Sequence, residues 1–202
     1  MSQVDLFAAA PHVLAEDGEG GIRYWPRFVG TAQAERWFAA LRDEVEWTHY
    51  SRPMYDRVVD VPRLVSSLPL DGSKPLPVAL QQAALAVSEG LGVAFTHVGM
   101  NHYRDGRDSV APHNDKLKSL VPGHPIALLS LGATRRMDIR EKEPSGIPPK
   151  RRGWRLDLEA GSVLVMSHAS QKTFDHGIPK TTAQVGPRIS LAFRVRPAGG
   201  HW

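Results

Sequence analysis

The sequence predicts an α+β, β-rich fold, with helices in the first half and a β-sandwich or barrel in the second. Apolar residues recur at helical spacing in two segments before residue 95. From Phe95 onward the chain breaks into short alternating runs separated by Gly, Pro and Asp. With 202 residues, 42% of them hydrophobic, the chain suits one domain around one buried core.

Taken in order, residues 1–21 end in an acidic, glycine-rich run and read as a flexible tail. A short strand follows over 22–28. Thr31 is a candidate helix N-cap, ahead of Ala34, Trp37, Phe38, Leu41 and Val45 on one face. Residues 52–74, rich in Pro, Arg and Ser, read as irregular connection with one short strand at most. A second helix is expected over 77–89, burying Leu80, Ala84, Val87 and Leu91 and stopped by Gly90 and Gly92. Strands are expected over 95–103, 126–131, 136–141, 154–158, 162–166 and 188–195, with a hairpin loop over 142–152. The domain would then cover 22–197, divided into an N-terminal helical region (22–94) and a β core (95–197), with a tail over 198–202.

Composition narrows the chemistry. Cysteine is absent, which excludes disulfides, thiolate metal sites and cysteine nucleophiles, and fits a reducing, cytoplasmic setting. No apolar run approaches the roughly eighteen residues of a membrane span, and no basic-then-apolar leader opens the chain. A monomer without membrane contact is expected. The net charge of +4, carried mostly by arginine, permits a polyanionic partner without requiring one. Arg135, Arg136, Arg140, Arg151, Arg152 and Arg155 flank the expected hairpin and form a candidate phosphate grip.

Three constellations bear chemistry. In His113-Asn114-Asp115, residues two apart on an extended chain point to the same side, so an imidazole and a carboxylate converge. One distant histidine would complete a two-histidine, one-carboxylate face for iron, leaving three positions open, and His176 is the best placed. His97, His124 and His168 fit that spacing less well. Over 188–194 strict alternation puts Ile189, Leu191 and Phe193 on one face and Arg188, Ser190, Ala192 and Arg194 on the other. The two arginines stand about 20 Å apart along the strand. If each head reaches back roughly 7 Å, they close to about 6 Å, near the span of a five-carbon diacid. Finally, Asn101 and Tyr103 share a strand face and both can donate to a carboxylate.

The order of these motifs resembles the AlkB family of iron(II)- and 2-oxoglutarate-dependent dioxygenases, in the branch of human homologues 2 and 3. The likeness runs from about Trp37 to Arg196. It is sharpest in Asn101-His102-Tyr103-Arg104-Asp105-Gly106, His113-Asn114-Asp115, Pro125 to Gly132, Gly161 to Met166, His176-Gly177-Ile178-Pro179 and Pro187 to Arg194. Glu44-Val45-Glu46-Trp47 and Pro62-Arg63 match N-terminal signposts. The resemblance implies a double-stranded β-helix (jelly roll) with the helices packed on its sheet. It implies iron(II) held by the catalytic residues His113, Asp115 and His176, with 2-oxoglutarate as cosubstrate and O2 as oxidant. Arg188 and Tyr103 would bind the distal carboxylate, with Asn101 and Arg194 at the keto-acid end, Arg194 also close to Asp115, and Ser190 in the cosubstrate site between the two arginines. The implied reaction hydroxylates an N-linked methyl on a nucleobase of DNA or RNA and releases succinate, CO2 and formaldehyde, as in repair of alkylated bases.

The departures lie on the substrate side. Leu117 stands where relatives carry an acidic residue that contacts the base, and Ser190 replaces their usual asparagine. Residues 64–74 lack the aromatics of the relatives' substrate lid. Tyr50, Tyr55, Leu117 and Arg136 are the remaining candidate substrate contacts. Two other readings stand beside demethylation of nucleic acid: the same iron chemistry on a non-polymer or protein substrate, and a non-catalytic nucleic-acid-binding jelly roll.

Overall fold

Short alternating runs in the second half do become strands, and they pair in two antiparallel layers. The computed structural model describes residues 10–54, 57–142 and 151–197. Among them, one sheet orders β1 (His12–Ala15), β2 (Ile22–Trp25), β10 (Val163–Met166), β7 (Ile126–Gly132), β12 (Arg188–Arg194), β5 (His97–Tyr103), β4 (Arg57–Pro69) and β3 (Thr48–Met54). The other orders β6 (Val110–His113), β11 (Phe174–Ile178), β8 (Arg135–Glu141) and β9 (Gly153–Leu158).

The alternation of β7 and β12 explains how the layers stack. Ala127, Leu129, Leu131, Ile189, Leu191 and Phe193 point to the outer face of the large sheet and are buried there. Helices α1 (Thr31–Glu44) and α2 (Val78–Leu91) cover that face with Ala34, Trp37, Leu41, Leu80, Ala83 and Val87. The opposite face meets the small sheet, where Ile126, Leu128 and Ala192 pack with Met137, Ile139, Leu158, Phe174 and Ile178. This is the jelly-roll arrangement, with helices on one sheet. Strand β12 is thus buried on both sides, and Arg188, Ser190 and Ala192 face the space between the sheets.

Several boundaries differ from the sequence reading. The acidic, glycine-rich run is no loose tail. It is a turn between β1 and β2, in which Asp17 Oδ1 accepts hydrogen bonds from the backbone N–H of Glu19 and Gly21. Gly21 sits at φ +71, and a Cβ there would lie 2.0 Å from the Ala15 carbonyl oxygen, so only glycine fits. Residue Gly30, not Thr31, caps α1. Helix α2 runs through Gly90 and ends at Gly92, in the left-handed region at φ 64.

The largest difference is at 52–74, where β3 and β4 form a long hairpin that extends the large sheet. Proline disguised it. Pro62 falls where the β3–β4 register slips between Ser51↔Asp60 and His49↔Leu64, a place where a missing N–H is tolerated. The residues lacking lid aromatics therefore include Leu64–Pro69, which pair with β5. Strands β6 and β11 were also not anticipated: β6 is four residues long and carries Pro112 before His113, and the centre of β11 is Asp175, His176 and Gly177.

Candidate active site

The site forms where the inner face of β12 looks across at β6 and β11. Strand pairing sets Tyr103 beside Arg188 and Asn101 beside Ser190, while Ser130 of β7 flanks Ser190 on the other side. On the small sheet His113 and His176 are register partners, with ring centroids 4.5 Å apart. Asp115 lies just beyond β6, after the chain has left the sheet. Arg194 reaches it as a fork: Nε donates to Oδ2 at 2.8 Å and Nη2 to Oδ1 at 3.0 Å. The small Gly99 on β5 makes that reach possible, since a Cβ there would lie 3.0 Å from Arg194 Nη1.

Each side chain has an assignable state. The Nδ1–H of His113 donates to the Ala111 carbonyl at 2.9 Å, which leaves Nε2 as the nitrogen with a free lone pair. Burial, with His113 close by, pushes His176 down to about 4, so it stays neutral in ordinary buffers. Its Nδ1 is buried without a hydrogen-bond partner among the described residues. For Asp115, burial pulls upward, but Arg194 and the two imidazoles outweigh it and hold the carboxyl below its usual range. A neutral His176 imidazole and an ionised Asp115 carboxylate result, beside the His113 ring.

Arg188 is fully buried, with 1% of its surface exposed. Its Nη2 donates to Ser130 Oγ at 2.8 Å, and its guanidinium carbon lies 5.3 Å from the centre of the Tyr103 ring. Nε and Nη1 have no acceptor among the described residues. A buried cation with two idle donors is a costly arrangement unless an anion completes it, and a carboxylate matches the fork. Asn101 is partly committed, because its Oδ1 accepts from Arg63 Nε at 2.6 Å.

An N, N, O donor set suits iron(II), and the His113 Nδ1–H bound to a carbonyl is the usual support for a metal-binding imidazole. The orphaned Nδ1 of His176 and the idle donors of Arg188 fit a metal and a dicarboxylate respectively. Among the described residues no group of three or more His, Cys, Asp or Glu side chains is arranged as a ready metal cage. Both carboxylate oxygens of Asp115 instead accept from Arg194.

The candidate substrate residues are scattered. Tyr50 is exposed on β3, Leu117 opens a 3-10 turn after Asp115, and half-exposed Arg136 pairs with Asp138 at 3.2 Å. Tyr55 lies outside the described residues. The arginine cluster breaks up as well. Arg135 is buried, donating to the carbonyls of Asp105, Asp108 and Pro179, while Arg152 pairs with Glu141 at 2.7 Å. Sequence reasoning missed Ser130, Lys142 and Gln171. Only Ser130 carried a signal, as the lone polar residue inside an apolar strand.

The chain matches the family model described as the 2OG-Fe(II) oxygenase superfamily over residues 65–194. It is 33% identical over 182 residues to human "DNA oxidative demethylase ALKBH2", covering 82% of this chain and 69% of that protein. It is also 30% identical over 209 residues to human "Alpha-ketoglutarate-dependent dioxygenase alkB homolog 3", covering 94% of this chain and 72% of that one. Among solved structures, OsALKBH1 superposes with a TM-score of 0.58 at 16% identity, over 93% of this chain and all of that one. A prolyl-4-hydroxylase from Pseudomonas putida superposes at 0.52 and 15% identity, over 88% and 94% of the two chains. The chain belongs to the 2OG-Fe(II) oxygenase superfamily and, within it, to the AlkB family. It is therefore a dioxygenase that requires iron(II), 2-oxoglutarate and O2, and the non-catalytic reading is set aside.

Proposed function

We propose that this enzyme oxidatively removes alkyl groups from nucleobases in DNA, with His113, Asp115 and His176 holding the iron. When bound, iron and 2-oxoglutarate together supply the oxidising power, while the chain positions the reactants. Arg188 seats the distal carboxylate of 2-oxoglutarate, oriented by Ser130 and backed by the Tyr103 ring. Arg194 keeps Asp115 ionised and turned inward, and Asn101 and Ser190 line the floor between the two arginines. The buried Arg188 with unused donors is the observation that carries the reading, since no carboxylate among the described residues completes it. The substrate is taken from the human ALKBH2 relative, whose name is DNA oxidative demethylase.

Leu117 favours a second reading, in which the same chemistry acts on a small molecule. An apolar side chain cannot accept a hydrogen bond from a base edge. Formaldehyde release from N-methylated single-stranded DNA and RNA separates the two. Turnover on DNA that is lost in His113→Ala is the expected result. Succinate formation without turnover on any polymer would transfer the assignment to the small-substrate reading.

The described helices include none long and apolar enough to cross a membrane. A monomer acting in the cytoplasm is the setting we propose.

A further inference from the structure

Asp115 belongs to no strand or helix, so no backbone ladder fixes the residue that must present a carboxylate. Three side chains do so instead. The backbone N–H of Asp115 donates to Gln171 Oε1 at 3.0 Å, and its carbonyl accepts from Asn114 Nδ2 at 2.9 Å. Both of these partners are tied to one ammonium group. Lys142 Nζ donates to Asn114 Oδ1 at 2.9 Å and to the Gln171 carbonyl at 2.7 Å. It also lies 3.7 Å from Asp175, the neighbour of His176. The Lys142 backbone N–H donates to Thr173 O at 2.8 Å, fastening the end of β8 to α3 (Ser170–Thr173), the turn that leads into β11.

The chemistry of Gln171 is the second observation. It is fully buried, at 0% exposure, yet its Nε2 has no partner among the described residues. The amide cannot be reversed to rescue that nitrogen, because Oε1 must face the Asp115 N–H and two donors would otherwise meet. A residue kept only for packing would be better apolar, since a buried idle donor is a cost. What the glutamine gains over an apolar side chain is its grip on Asp115.

We infer that Lys142, with Gln171 and Asn114, is a positioning brace that locks the Asp115 backbone and ties the His113–Asp115 segment to the one carrying His176. Lys142 and Gln171 touch neither metal nor cosubstrate in this scheme and act through Asp115. The inference rests on the proposed iron site. The brace explains how a carboxylate on irregular backbone can serve beside two imidazoles on regular strands, and supports of this kind ordinarily change metal affinity 10- to 100-fold.

The test uses the full chain with Co(II) as a spectroscopic probe of the iron site, titrated oxygen-free. The wild type is compared with His113→Ala, Gln171→Leu, Lys142→Met and Lys142→Arg. His113→Ala should abolish the cobalt absorption bands, and its failure to do so would remove the iron site itself, leaving the brace without an object. With that control intact, Gln171→Leu and Lys142→Met should each weaken Co(II) binding by about 10- to 100-fold and alter the bands. Lys142→Arg, which retains donors for both acceptors, should recover most of the affinity. Thermal unfolding of the metal-free variants reports on structure alone. Wild-type cobalt affinity and spectrum in both Gln171→Leu and Lys142→Met, whatever their melting temperatures, would overturn the brace.

Discussion

Arg188 shows how one residue's surroundings define its role. A surface arginine would be satisfied by water, whereas this one is sealed between Ser130 and Tyr103 with two donors idle. Its replacement by lysine keeps the charge and loses the fork. Truncating one side of a buried charge-assisted pair ordinarily costs about 2–5 kcal/mol. Arg188→Lys should therefore weaken 2-oxoglutarate binding by at least roughly 30-fold, read by oxygen-free titration of the iron-loaded protein. Unchanged affinity would move the distal carboxylate to another cation.

At the scale of the element, β5 carries opposite demands on its two faces. Asn101 and Tyr103 turn toward the site, while His102 points the other way and packs against Trp47, with ring centroids 5.1 Å apart. Neither ring nitrogen of His102 has a hydrogen-bond partner among the described residues, and burial lowers its pKa from the ordinary value. The folded state thus binds a proton less readily than the unfolded chain does. Stability from this group is complete above the unfolded histidine range, near pH 6.5, and is lost as the pH falls below it. The thermal midpoint should drop between pH 7 and pH 5, and His102→Phe should flatten that part of the profile. An equal slope in the variant would assign the acid sensitivity to other groups. One such group is His176, which burial holds at about 4. Asp108 acts outside that window: burial raises its carboxyl, but the bonds from Arg104 hold it below its usual range. Its contribution disappears at lower pH.

Over the whole molecule the surplus of +4 is modest, and much of the arginine is already engaged within the protein. Arg104, Arg135, Arg152 and Arg194 all have acceptors on other residues. Polynucleotide binding should therefore depend only shallowly on salt. We expect a log–log slope on single-stranded DNA equivalent to about four phosphates or fewer, at about 0.7 per phosphate. A much steeper slope, measured by fluorescence anisotropy across salt concentrations, would show an extended phosphate track that the net charge does not reveal.

Local pattern was enough to read the two helices, seven of the strands, the separation of Arg188 from Ile189 across β12, and the motif order that pointed to the family. These depend on periods of 3.6 and 2 and on residue types, which are written along the chain. The β3–β4 hairpin was hidden because Pro62 breaks propensity at a register slip that only sheet pairing defines. Strand β6 was hidden because it has four residues and a proline ahead of His113, and β11 because its centre is spent on Asp175, His176 and Gly177 rather than on apolar residues. Gln171 and Lys142 left no trace, since a hydrogen bond between residues 56 positions apart has no local signature. The chain's own order thus named the chemistry, whereas packing of one sheet over the other decided which arginines are buried, which are merely paired, and what steadies Asp115.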